Sequence, residues 1–140
     1  MYKLNKEVLY LENDGLNTNI YTINGDLSFK GNVIKDILNE SCICYGSSLS
    51  GRIKGSKYAL KSKYKLPVII SEKERLVFFP IKEMGKEIWF NFDNIKEVKK
   101  NKDKVFVIFK SGLKIGIDVS YTVFNNQILK TSRLWIIFLS

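Results

Sequence analysis

Residues 68–119, VIISEKERLVFFPIKEMGKEIWFNFDNIKEVKKNKDKVFVIFKSGLKIGIDV, decide how this chain folds. Runs rich in β-branched and aromatic residues (VIIS, LVFFP, EIWFNF, IKEVKK, VFVIF and LKIGIDV) are separated by turn formers at Glu72 to Glu74, Met84-Gly85, Lys99 to Asp103 and Ser111-Gly112. Short strands at this regular spacing predict an antiparallel meander. The VFVIF run is continuous in apolar residues, which predicts a strand covered on both faces or central in a small barrel.

Upstream, Val8 to Leu11 and Asn19 to Ile23 read as strands closed by Asn13-Asp14-Gly15 and Asn24-Gly25, whose Asp-Gly and Asn-Gly steps supply the positive φ of hairpin turns. Val33, Ile34, Ile37 and Leu38 fall at helical spacing and predict a short amphipathic helix ending near Asn39. A second helix is predicted over 48–60, capped by Ser47 or Ser48, with Leu49, Ile53, Ala59 and Leu60 inward. Gly51 and Gly55 each weaken that helix by about 1 kcal/mol relative to Ala. Close packing on a neighbouring backbone, or close approach of a ligand's backbone, would account for them. Tyr121, Phe124, Ile128, Leu129, Trp135 and Phe138 predict a C-terminal helix capped by Asp118 or Ser120. The fold class expected is α+β: a curved antiparallel β-sheet or partial barrel, with a short helix in the N-terminal half, a basic helix and a C-terminal helix. At 140 residues and 45% hydrophobic, the chain is expected to form a single domain over 1–140.

Charge is placed rather than spread. The formal net charge is +9, and between Glu40 and Glu72 the only charged residues are Arg52, Lys54, Lys57, Lys61, Lys63 and Lys65. On the predicted helix Lys54, Lys57 and Lys61 recur at i, i+3 and i+7, one face, with Arg52 to the side. A clustered cationic stripe favours a polyanion, because each cation that meets a phosphate releases condensed counterions. A second group, Lys96, Lys99, Lys100, Lys102 and Lys104, falls on an apparent hairpin, diluted by Glu97 and Asp103. Lysines at hairpin tips also serve solubility and edge protection.

Catalytic chemistry is poorly supplied. The chain has no histidine, and no serine has an evident base partner, so no enzymatic activity is expected. GSSLSGRIKG lacks the Gly-Lys-Ser/Thr ending of a phosphate-binding loop. The free amides at a helix start near Ser47 and Ser48 would still suit one phosphate. Cys42 and Cys44, two residues apart, are expected to be free thiols, and with no histidine neither a metal site nor any cofactor is expected. The apolar runs are far shorter than the ~18 residues of a spanning helix. The N-terminus carries no secretory signal pattern, so a cytoplasmic location is expected.

GSSLSGRIKG, LPVIIS at 66–71, LVFFP at 76–80, IWFNFDNIKEV at 88–98, FKSGLKIGID at 109–118 and SYTVFNNQILKTSRL at 120–134 together resemble the competence transcription factors of the ComK family, in the family's order. The resemblance covers about 41–138 and is loose over the first forty residues. It implies a nucleoid-associated activator that binds double-stranded DNA at paired AT-rich boxes, largely through the minor groove, as a homo-oligomer. This sequence stops at Ser140, where the family continues into a segment used for activation and adaptor-mediated proteolysis, so a short relative lacking that extension is expected. Minor-groove reading favours arginine. The chain has Arg52, Arg75 and Arg133, and Arg52 is the prime candidate. DNA contacts are thus expected from Arg52, Lys54, Lys57, Lys61, Lys63, Lys65, Ser47 and Ser48, with Lys99, Lys100, Lys102 and Arg133 secondary, and Asn91, Asn125, Asn126 and Gln127 as possible hydrogen-bonding partners of groove acceptors. Self-association would use apolar surface around Trp135 to Leu139. The rival expectation is a basic interaction module that binds an acidic protein or an anionic membrane surface, or modulates a longer relative.

Overall fold

Local turn chemistry shapes the N-terminal third of the computed structural model, which describes residues 2–140. Strand β1 (Val8–Asn13) turns into β2 (Asn17–Thr22) where the Asp14 carboxylate accepts the amides of Leu16 (2.9 Å) and Asn17 (2.8 Å). Those bonds hold the Asp14 carboxyl below its ordinary pKa. Gly15, at φ +98°, takes the left-handed position. A third strand, β3 (Gly25–Lys30), follows Asn24 and pairs with β2; its weak apolar content hides it in the sequence.

Helix α1 (Ile34–Cys44) runs five residues beyond the end expected at Asn39, because Ser41 and Cys42 continue the buried face begun by Ile34, Ile37 and Leu38. Helix α2 (Leu49–Leu60) matches the sequence reading, with Ser48 as its cap. Strands β4 (Val68–Ser71), β5 (Leu76–Glu83) and β6 (Lys86–Asn91) then form the first half of the meander. A 3₁₀ turn at Phe92–Asn94 breaks it, and β7 (Ile95–Asn101), β8 (Lys104–Phe109) and β9 (Lys114–Ile117) form a separate sheet. Helix α3 (Tyr121–Leu139), capped by Ser120, closes the chain.

The meander therefore does not make one curved sheet. A six-stranded antiparallel sheet has the order β3-β2-β1-β6-β5-β4, and a three-stranded sheet the order β7-β8-β9. The halves of the large sheet join where β1 pairs with β6, Leu11 opposite Trp89. Asn91 and Asn94 reinforce that seam by donating to the Val8 carbonyl, each at 2.8 Å. Val8 and Leu11 face α1, whereas Leu9 and Tyr10 face the small sheet, a switch made possible by a register irregularity between Val8 and Tyr10.

Two principal cores result. One lies between the large sheet and α1, and the other packs Phe79, Ile88 and Phe90 against Val105, Val107, Phe109 and Phe124. The second is aromatic, with Phe90 to Phe124 at 5.4 Å and Phe79 to Phe124 at 5.8 Å between ring centroids, both edge-on. VFVIF alternates, with Val105, Val107 and Phe109 buried and Phe106 and Ile108 half-buried. Strands covered on both faces lie in the large sheet instead, among them β4, with Val68 and Ile70 in the α1 core and Ile69 in a smaller cluster with Leu60, Leu134 and Leu139. No helix among the described residues is long and apolar enough to cross a membrane.

The inward face of α3 matches the apolar pattern in part, with Phe124 buried and Tyr121, Ile128 and Trp135 half-buried against the cores. Phe124, Gln127, Thr131, Leu134 and Leu139 are buried, while Leu129 is 56% and Phe138 41% exposed. Two polar residues, Gln127 and Thr131, complete the buried stripe beside the apolar ones.

Cys42 and Cys44 are free, the first buried and the second exposed. Burial, partly opposed by the Arg52 charge, pushes the Cys42 thiol up to about 11. Iodoacetamide at pH 8 is expected to add one label, at Cys44, with Cys42 reacting only after denaturation, as read by peptide mass spectrometry. Phe90→Ala is expected to destabilise the fold by about 3–5 kcal/mol in urea titration.

Candidate nucleic-acid interface

Helix α2 presents the cations because its other side is committed to packing. Ser56 and Leu60 are buried, and the Ser56 hydroxyl donates to the Pro67 carbonyl at 2.7 Å. That leaves Lys54, Lys57, Tyr58 and Lys61 exposed along one face, at i, i+3, i+4 and i+7. Lys61 ends the helix in the left-handed conformation, φ 51°, and its amide donates to the Lys57 carbonyl at 2.9 Å.

Residues 61–66 continue the basic surface as a pinned loop. Lys65 is also left-handed, at φ 49°. Its carbonyl accepts from the Gln127 amide (2.9 Å), and the Tyr64 carbonyl accepts from Lys130 Nζ (2.9 Å). Gln127 also donates to the Pro80 carbonyl (2.8 Å), so one buried side-chain amide ties the loop and β5 to α3. With the backbone turned toward α3, Lys63, Tyr64 and Lys65 are exposed. Burial, then the charge of Lys65, lowers the Lys130 pKa.

Tertiary structure adds cations that the linear charge map does not group. An open cleft of about 580 Å³ between α2, the loop and the large sheet places Lys82 with Lys57, Lys63 and Lys65 above Trp89. Its one acid, Glu87, accepts from Trp89 Nε1 at 2.9 Å. On the other side of the loop a second groove joins Lys65 to Lys130 and Arg133 of α3. Arg133 thus belongs with the primary basic surface, although 68 residues separate it from Lys65 in sequence. Lys82 and Lys130 carried no local signal, since each is an isolated cation on an otherwise ordinary element.

Several sequence-derived assignments change. Arg52 does not stand free for a groove: its Nη1 is 2.9 Å from Glu72 Oε1, its side chain is only 21% exposed, and its Nε is buried without a partner. It tethers α2 to the β4–β5 turn. Ser48 caps α2 by accepting the Gly51 amide (3.0 Å), Asn39 accepts the Leu49 amide (3.1 Å), and the Ser47 amide donates to Cys42 O. Most of the amides offered to a phosphate are therefore engaged within the fold. Asn91 and Gln127 are buried and bonded to backbone carbonyls, so their amides are unavailable to a groove; Asn126 remains exposed. Lys99, Lys100 and Lys102 are exposed on the β7–β8 hairpin, Lys102 in its turn at φ 54°. They belong to the small sheet and line neither of the two basic clefts.

The model of the ComK protein family matches residues 4–139. The chain belongs to the ComK family. The match spans the first forty residues as well as the blocks first recognised. A curated relative, the competence transcription factor of Bacillus subtilis (strain 168), is 29% identical over 101 residues, covering 70% of this chain and 53% of the relative. The chain thus matches about half the length of that protein. No solved structure matches.

The geometry separates residues that hold the basic surface from those that form it. Gln127→Ala is expected to destabilise the fold by about 1–3 kcal/mol, by removing two part-buried hydrogen bonds, and to speed amide hydrogen exchange in 61–66. Lys54→Ala and Lys57→Ala are expected to stay within about 0.5 kcal/mol of wild type in thermal unfolding.

Proposed function

We propose that this ComK-family chain is a competence-related transcriptional regulator that binds double-stranded DNA through α2 and the 61–66 loop, as one DNA-binding domain without catalytic activity. The observation that carries the reading is the exposed, acid-free run of Lys54, Lys57, Lys61, Lys63 and Lys65, extended in space by Lys82, Lys130 and Arg133. Its lysines neutralise phosphates and position the protein, while selectivity for AT-rich boxes comes from groove shape. Arg133, exposed beside Lys65 and Lys130, is the arginine best presented to a narrow minor groove. Arg52 supports the surface from behind and would reach DNA only by releasing Glu72. The amides near Ser47 and Ser48 are mostly taken, and the Ser48 side chain serves first as the cap of α2.

Paired boxes call for more than one copy of the chain. Ile136, Ile137 and Phe138, 64%, 49% and 41% exposed near the end of α3, offer an apolar surface for self-association. Trp135 is not part of it, since it is half-buried under the Arg75 guanidinium at 4.8 Å. The protein acts in the cytoplasm, at the nucleoid.

Mobility-shift titration on an AT-box duplex and a GC-rich duplex of equal length, at two salt concentrations, tests the reading. An AT preference that persists at the higher salt is expected, with Lys57→Ala and Lys63→Ala each lowering the slope of log K against log salt by about 0.9. Arg133→Ala is expected to reduce the AT preference more than the general affinity. Equal and salt-fragile binding to both duplexes would leave a generic polyanion binder, and no binding would favour an acidic protein or an anionic surface as partner.

A further inference from the structure

No neighbouring backbone of the protein presses on either glycine of α2, and only one of the two is accounted for within the fold. A Cβ at Gly51 would lie 3.2 Å from the Ser48 hydroxyl, so the cap accounts for that glycine. A Cβ at Gly55 would meet nothing within 4 Å. Gly55 is mid-helix with ordinary helical geometry, and no neighbour within the protein demands its small size. It nevertheless weakens the helix relative to alanine.

Tyr58 stands one turn further along. It is 87% exposed, among the most exposed large apolar side chains of the molecule, and it sits within the Lys54, Lys57, Lys61 stripe. Residues three and four apart on a helix are surface neighbours, so Gly55, Lys54 and Lys61 border the ring. The stretch from Ser41 to Ser71 carries no acid, and although Asp36 of α1 lines a shallow groove beside Lys54 and Lys57, Lys35 stands in the same groove and the cations predominate. Such a surface is complementary to an anion that also offers planar faces. A nucleic acid combines a phosphate backbone that the lysines neutralise with base faces on which an aromatic ring stacks. A glycine beside the ring lets the sugar–phosphate strand approach the helix backbone.

We propose that DNA lies directly across α2 at Gly55, with the Tyr58 ring inserted against a base step that it partly unstacks. Aromatic insertion from a basic surface opens flexible pyrimidine–purine steps most readily, which links this residue to AT-rich selection. The proposal rests on the DNA-binding reading above and adds to it the residues that touch the bases and the strand.

The test uses a duplex with 2-aminopurine at a central TA step, read by fluorescence and by anisotropy. The wild-type chain and Tyr58→Phe are expected to raise the 2-aminopurine signal on binding. Tyr58→Ala is expected to lose that rise and to bind about 10-fold more weakly, the size of one lost stacking contact. Gly55→Ala is expected to raise Tm by about 3 °C while weakening DNA binding at least several-fold, a split between stability and binding that a purely structural glycine would not show. Tyr58→Ala with unchanged affinity and an intact fluorescence rise would overturn the proposal, as would Gly55→Ala with full affinity. If wild type binds the duplex without any fluorescence change, insertion fails while DNA binding stands. If wild type does not bind, both readings fall together.

Discussion

One side-chain amide, that of Gln127, holds the basic surface in shape. It sits on the buried stripe of α3, 4% exposed, and donates to carbonyls on two elements distant in sequence, Lys65 in the loop and Pro80 in β5. Both bonds are partly buried, and at about 0.5–1.5 kcal/mol each they favour the arrangement in which loop, strand and helix meet. Pro80 fits the same logic. β4 pairs with β5 only from Leu76 to Phe78, so the missing amide of Pro80 falls beyond that ladder. The left-handed Lys65 is held by the same contact, so an exposed cation of the loop is fixed by a residue that faces away from solvent.

What the sequence made legible, and what it hid, follows from range. Hairpin turns, the α2 cap at Ser48 and the strands from β4 to β9 depend on neighbours a few residues apart, and their residue types announce them. The break at Phe92–Asn94 was not legible, because the strand pattern resumes at once and only tertiary packing places β7 to β9 in another layer. β3 escaped because GDLSFK offers only two apolar residues, Leu27 and Phe29, and is defined by its pairing with β2. On α3 only part of the buried stripe escaped: Gln127 and Thr131 are buried with hydrogen bonds to backbone carbonyls, and a rule that looks for apolar side chains passes over them.

The site shows the same division. The lysine stripe of α2 was legible because helical spacing converts directly into a face. The role expected of Arg52 was not, since nothing local reveals that Glu72, twenty residues on, reaches its guanidinium at 2.9 Å. Composition counted three arginines, and the fold distributes them differently: Arg52 to Glu72, Arg75 over Trp135 with a bond to the Leu139 carbonyl, and Arg133 to the surface. Lys82 and Lys130 join the basic surface only through the folding of β5 and α3 beside the loop.

The seam between β1 and β6, with Tyr10 opposite Phe90, has a consequence for how the chain is made. During synthesis β1 emerges early, with β2 as its partner on one edge, and its other edge stays open until some eighty residues more have left the ribosome. The whole of α1, α2 and the basic loop emerges in that interval, before the sheet that will support it is complete. Pairings that close so long a loop form late. An unpaired strand edge beside a nascent stretch of uncompensated positive charge is therefore exposed to ribosomal RNA and to other chains for much of translation, and the speed of elongation through β4 to β6 sets how long that exposure lasts.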